Sequence, residues 1–230
     1  MNRIPYIVLI LIVSAIFVTA QVEERFQYGL KFGVVQNQFE AIPDSPLNPF
    51  ESLEIDGRTG FMAEAFYDYQ LLPDKMPPLH MTFGLGYKLL IMRGQFRTAG
   101  DTPVTGDFHN YFHTLDFPVG VKMVFKQFNG RPFVGAGLQM DAIVGETVSS
   151  GGTHGTADET LPDFETIPDY RTRFNTGVYF NAGFEIPSTN YLYVFEFRYI
   201  RWSRDNFDAE TSFYERSNGE IQWTFGVKIR

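Results

Sequence analysis

The side chains best able to move protons near neutrality are four histidines, His80, His109, His113 and His154. Paired with a serine and an acid, one of them would make a hydrolytic nucleophile and base. The spacing does not require such a pairing. His113 lies three residues before Asp116, and an odd separation puts two side chains on opposite faces of a strand. His109 and His154 fall in segments that read as loops, and His80 opens a strand. No catalytic residue is assigned, and the chain is expected not to be an enzyme. It contains no cysteine, which excludes a thiolate nucleophile, a thiolate metal site, a disulfide and a lipid-modified cysteine. Carboxylates gather in Gly145–Thr172, where Glu146, Asp158, Glu159, Asp163, Glu165 and Asp169 stand against Arg171. Calcium takes oxygen ligands of this kind, but the EF-hand spacing with its glycine is missing. A solvated acidic loop is expected there, with no metal and no cofactor. Gly84-Leu85-Gly86 and Gly135-Ala136-Gly137 lie inside alternating segments, so they read as room in a narrow interior rather than as phosphate loops.

The elements that carry these residues alternate with period two, the strand period. Eight segments of about 12 residues show it: Arg25–Gln36, Gly60–Leu71, His80–Met92, His113–Phe125, Pro132–Val144, Arg173–Ile186, Tyr191–Trp202 and Gly219–Arg230. Membrane-spanning strands need about 9–11 residues. One face of each is apolar, as in Phe61, Ala63, Ala65, Tyr67 and Tyr69, or Met81, Phe83, Leu85, Tyr87, Leu89 and Ile91. The opposite face mixes glycine with charge. The connections Leu72–Leu79, Lys126–Arg131 and Pro187–Asn190 are short, whereas Asn37–Thr59, Arg93–Tyr111, Gly145–Thr172 and Ser203–Asn218 are long. Short turns at one end and long loops at the other define an up-and-down meander. The expected fold is all-β, an eight-stranded antiparallel transmembrane β-barrel with short periplasmic turns and long external loops.

Composition supports lipid on the outside. The 24 Phe, 12 Tyr and 2 Trp are too many large rings for an eight-strand interior, so the apolar faces are expected to point outward. Tyr28, Tyr67, Tyr69, Tyr191 and Tyr193 fall near strand ends, where an aromatic girdle sits. The rival is a soluble lipocalin-like barrel with its apolar face inside. The lumen of the membrane barrel would hold the cations Lys31, Lys88, Lys122, Arg198 and Lys228. It would also hold the anions Glu64, Asp68, Asp116, Asp141, Glu185, Glu196 and Glu220. Buried charge is tolerated when paired, so these residues are expected to be structural packing rather than a functional site. The formal charge of -8 argues against nucleic acid. At the N-terminus, Arg3, the apolar run Tyr6–Val18 and the small residues Val18-Thr19-Ala20 make residues 1–20 a signal peptide. The mature chain, 21–230, is expected to be one domain starting near Gln21.

Several segments resemble the outer-membrane β-barrel domain of the PorT-like group, with the architecture of the OmpA transmembrane domain. They are Leu115-Asp116-Phe117-Pro118-Val119-Gly120-Val121-Lys122, Arg131-Pro132-Phe133-Val134-Gly135-Ala136-Gly137, Phe195–Trp202 and Ile221–Ile229. The resemblance implies a bacterial outer-membrane location and names no chemistry. Such barrels usually end on an aromatic residue; here Ile229 substitutes for it, or recognition by the assembly machinery rests on Trp223 and Phe225. The expected partners are outer-membrane lipid and an envelope or extracellular protein, in a structural, adhesive or secretion and envelope-assembly accessory role. A lipid-modifying barrel enzyme and a narrow passive pore are the alternatives.

Overall fold

A computed structural model describes residues 26–42, 50–71, 77–98, 105–126, 130–153, 173–203 and 214–229. The expected signal peptide, residues 1–20, lies outside them, as does His154. The strands are β1 (Phe26–Ala41), β2 (Phe50–Gln70), β3 (Leu79–Thr98), β4 (Thr105–Val124), β5 (Arg131–Thr153), β6 (Phe174–Pro187), β7 (Tyr191–Trp202) and β8 (Tyr214–Ile229). Each pairs antiparallel with its neighbours in sequence, and β1 pairs with β8, so the sheet closes into an eight-stranded barrel with no free side. Closure removes the edges that would otherwise expose unpaired backbone to lipid.

The faces point as the alternation indicates. Phe32, Phe61, Leu138, Phe174, Phe180 and Trp223 are exposed on the outside, while Lys31, Glu64, Lys88, Asp116, Gln139, Glu220 and Lys228 are buried inside. An outward apolar surface over a charged interior is stable only against hydrocarbon. On β3 the outward apolar run extends from Met81 to Ile91. At about 3.3 Å per residue and a tilt near 45°, it covers about 23 Å of height, close to the ~25 Å band of outer-membrane barrels. Ring pairs Phe26–Tyr69 (4.7 Å) and Tyr28–Tyr67 (6.4 Å) girdle the short-turn end.

At the other end, strand runs into each of the expected long loops. β1 runs on to Ala41 and β2 starts at Phe50, inside the expected loop Asn37–Thr59. β3 and β4 reach Thr98 and Thr105, inside Arg93–Tyr111. β5 continues to Thr153, inside Gly145–Thr172, and β8 starts at Tyr214, inside Ser203–Asn218. The physical reason is an exchange of faces. Beyond Ile91 the outward residues of β3 are Arg93, Gln95 and Arg97, while Leu90, Met92 and Phe96 point inward and are buried. β4 does the same, with Asp107 and His109 outside and Phe108 and Phe112 inside. Once the barrel leaves lipid for water, polar residues belong outside and apolar residues inside. Register shifts at Arg58/Phe61 in β2 and His113/Thr114 in β4 also break the period locally.

The interior also takes more aromatic residues than its width suggests. Phe66, Phe133, Tyr179, Trp202, Phe96, Phe108, Phe112 and Tyr214 are all buried there. Glycines make the space. A Cβ at Gly183 would stand 2.6 Å from the Phe133 ring, and one at Gly94 would stand 2.1 Å from the Phe108 ring. A ring on one strand fills the volume left by an inward glycine on its neighbour.

Candidate functional site

The inward polar residues form three stacked layers. Nearest the short turns, Lys122 and Lys228 each bridge Asp68 and Glu185, at 2.6 and 2.9 Å for Lys122 and 2.9 and 2.6 Å for Lys228. Above them, Lys31 meets Glu64 at 2.7 Å and Glu196 at 3.0 Å, and Arg198 meets the same two acids at 3.0 and 2.8 Å. The Arg198 guanidinium also donates to Gln139 Oε1 at 3.3 Å. In the third layer Lys88 lies 3.0 Å from Asp116, 2.9 Å from Glu220 and 3.7 Å from Asp141. Arg216 bridges Asp141 at 3.1 Å and also pairs with Glu220, to which Gln222 Nε2 donates at 2.6 Å.

All the expected lumen charges are therefore brought together inside the barrel. Arg216 is an addition that the loop assignment Ser203–Asn218 concealed. It stands four residues before Glu220, so extending the period of β8 backwards places it on the inward face. Five of the six cations also lie against a ring: Lys31 over Phe66 (4.7 Å), Lys122 over Phe133 (4.9 Å), Arg198 over Tyr179 (4.9 Å), and Lys88 and Arg216 over Trp202 (both 5.0 Å). The negative ring faces offset part of the cost of burying each cation. The first two layers each hold two cations and two carboxylates; the third holds two cations and three carboxylates, so it carries the surplus.

Two features close the interior. A cavity between the lower layers, bordered by Lys31, Glu64, Asp68, Lys122, Glu196 and Arg198, holds about 10 Å³, roughly the least that takes one water. Above the third layer, Val35, Phe39, Ile55, Leu90, Met92, Phe96, Phe108, Phe112, Ile143 and Tyr214 pack into one buried apolar cluster.

The three described histidines, His80, His109 and His113, do not converge. His80 is buried in register with Lys122. His109 approaches Asp107 at 3.5 Å on the outer face. His113 Nδ1 lies 2.5 Å from the Tyr87 hydroxyl, also on the outer face, while Asp116 points into the lumen. Among the described residues no group of three or more His, Asp or Glu side chains is arranged to hold a metal ion.

A closed antiparallel barrel with an apolar belt outside and paired charge inside is an integral outer-membrane β-barrel. The family model described as "Outer membrane protein beta-barrel domain" matches residues 19–203, and the chain belongs to that family. Its place is accordingly the bacterial outer membrane, in contact with the lipid there. No curated protein matches the chain. Among solved structures it is similar to Neisserial surface protein A (15% identity, 88% of this chain and 96% of that one, TM-score 0.42). It is also similar to OprG from Pseudomonas aeruginosa (10% identity, 89% and 96%, TM-score 0.42) and to the outer-membrane enzyme PagL (13% identity, 87% and 99%, TM-score 0.45). At these identities and scores the likeness carries no argument about activity.

Proposed function

We propose that this protein is a non-enzymatic, non-conducting outer-membrane barrel of the PorT-like group. Its role is structural, adhesive or accessory to secretion and envelope assembly, with an envelope or extracellular protein as partner. The mature chain begins near Gln21, after removal of the export signal. The observation that carries this reading is the closed interior. Three charge layers fill the lumen, and the cavity between the layers Lys31–Arg198 and Lys122–Lys228 holds about 10 Å³. The lumen charges are structural: each cation is held by two or three carboxylates, an arrangement that fixes strands to one another. Genes for secretion or surface assembly beside this one would support the PorT-like assignment.

Two measurements test the reading. Lipid A and phospholipid profiles should be unchanged when the gene is deleted; a lost or shifted lipid species would favour a lipid-modifying enzyme. The purified barrel should give no conductance steps in a planar bilayer; steps would favour a narrow passive pore.

A further inference from the structure

The outer edge of the apolar belt is not uniform around the barrel. On β2, β3 and β4 it is crowned by Arg58, Arg93 and Arg97, with His109 in register beside Arg93. Arg58 is paired in register with Ile91, which makes it the diagonal neighbour of Arg93, at about 7–8 Å between Cα atoms. Arg97 is held by Glu51 at 3.4 Å. Arg58 and Arg93 have no ion pair among the described residues, although Asp56 stands opposite Arg93 in register. The Arg93 Nε is buried and donates to no protein atom. Just below them Tyr87 and His113 share their 2.5 Å contact, and at their own level the His109 and Tyr111 rings stack at 6.4 Å. The charges are ordered by height: apolar belt, then Arg58 and Arg93, then the acids Glu54, Glu51 and Asp107 nearer the rim, with Asp56 level with Arg93.

We infer that this face of β2–β4 binds the phosphorylated headgroup of an outer-leaflet lipid. Acyl chains lie along Phe83, Leu85, Leu89 and Ile91, which puts the first phosphate at the height of Arg58 and Arg93. Guanidinium groups meet phosphate with paired, charge-assisted hydrogen bonds. On β7, across the barrel, the outward arginine is Arg201, standing between Tyr199 and the end of the strand, and the registers place it below the level of Arg93.

The test uses full-length mature protein folded in detergent, titrated with bis-phosphorylated lipid A and read by native mass spectrometry. The expected results are retention of the lipid by the wild type and about tenfold weaker retention for each of Arg58→Gln and Arg93→Gln. Arg201→Gln should match the wild type, and fully dephosphorylated lipid A should be retained as weakly as by the double variant. All variants should keep the heat-modifiable folded band, so that loss of binding is separated from loss of fold. Equal retention by wild type and Arg58→Gln/Arg93→Gln would overturn the inference, as would equal retention of the phosphorylated and dephosphorylated lipids. Competition by millimolar inorganic phosphate as effective as that by lipid A would also overturn it, by showing an anion site that does not read the lipid.

Discussion

Replacing Lys88 with methionine tests whether the third charge layer is held together by that one ammonium. Lys88 is fully buried and touches Asp116, Glu220 and Asp141 at 3.0, 2.9 and 3.7 Å. Methionine keeps most of the stem and removes the charge. Three carboxylates would then share Arg216, which pairs with Asp141 and Glu220 and leaves Asp116 without a cation. Removing one partner of a buried ion pair costs about 3–5 kcal/mol, and that is the expected loss for Lys88→Met. Asp116→Asn should behave differently. Asp116 stands directly opposite Asp141 in the β4–β5 register, and it is the carboxylate in excess. Asparagine keeps the volume, removes the like-charge contact and leaves two cations with two acids, as in the lower layers. The expected change is within about 1 kcal/mol. The double variant should recover about 1–3 kcal/mol of the Lys88→Met loss. Urea titration of folding into lipid vesicles, read by heat-modifiable electrophoresis, measures all three. An Asp116→Asn loss equal to that of Lys88→Met, with simple additivity in the double variant, would refute the assignment of surplus charge to this layer.

Phe83→Arg or Phe197→Arg, on the outward face in mid-strand, should cost roughly 2–4 kcal/mol in the same assay. Gly219→Arg, where a new Cβ meets nothing closer than 3.5 Å, should cost far less; equal costs at all three positions would mean that the faces are reversed. Gly183→Ala forces a Cβ to within 2.6 Å of the Phe133 ring and should destabilise by about 1–3 kcal/mol, whereas Gly130→Ala, with nothing within 4 Å, should be neutral. A single cysteine at Thr105 should react with an impermeant maleimide on intact cells and one at Ser188 should not; the opposite labelling would invert the topology.

The parts legible in the sequence are those where one physical rule holds along a whole strand. β7 was expected at Tyr191–Trp202 and is found there, and β6 differs by a residue at each end, because both strands stop where the lipid stops. The lumen charges were legible for the same reason: inside the apolar belt, every second residue must avoid hydrocarbon. The upper halves of β2 to β5 were hidden because the rule changes sign at the water boundary. Leu53 and Ile55 turn inward there while Glu54 and Asp56 turn outward, and the shift at Arg58/Phe61 moves the parity as well. Arg216 was hidden with the upper part of β8. The buried rings were underestimated because Phe66, Phe108, Phe133, Tyr179 and Trp202 each fill space beside a glycine, as Phe108 does beside Gly94 on the neighbouring strand, and that pairing appears only once the register is known.

On β3 the outward face lies in lipid up to Ile91 and in water from Arg93. The chain has no native cysteine, so spin labels can be placed one at a time on the outward positions of β3, at Met81, Phe83, Leu85, Leu89, Ile91, Arg93, Gln95 and Arg97. Accessibility to molecular oxygen and to a polar nickel complex, measured in lipid vesicles, reads immersion depth at each position. Oxygen accessibility should dominate from Phe83 to Ile91 with its maximum near Leu85, and the nickel complex should take over at Arg93 and beyond. Uniform access of the nickel complex along the whole series would contradict the membrane barrel and restore the soluble one.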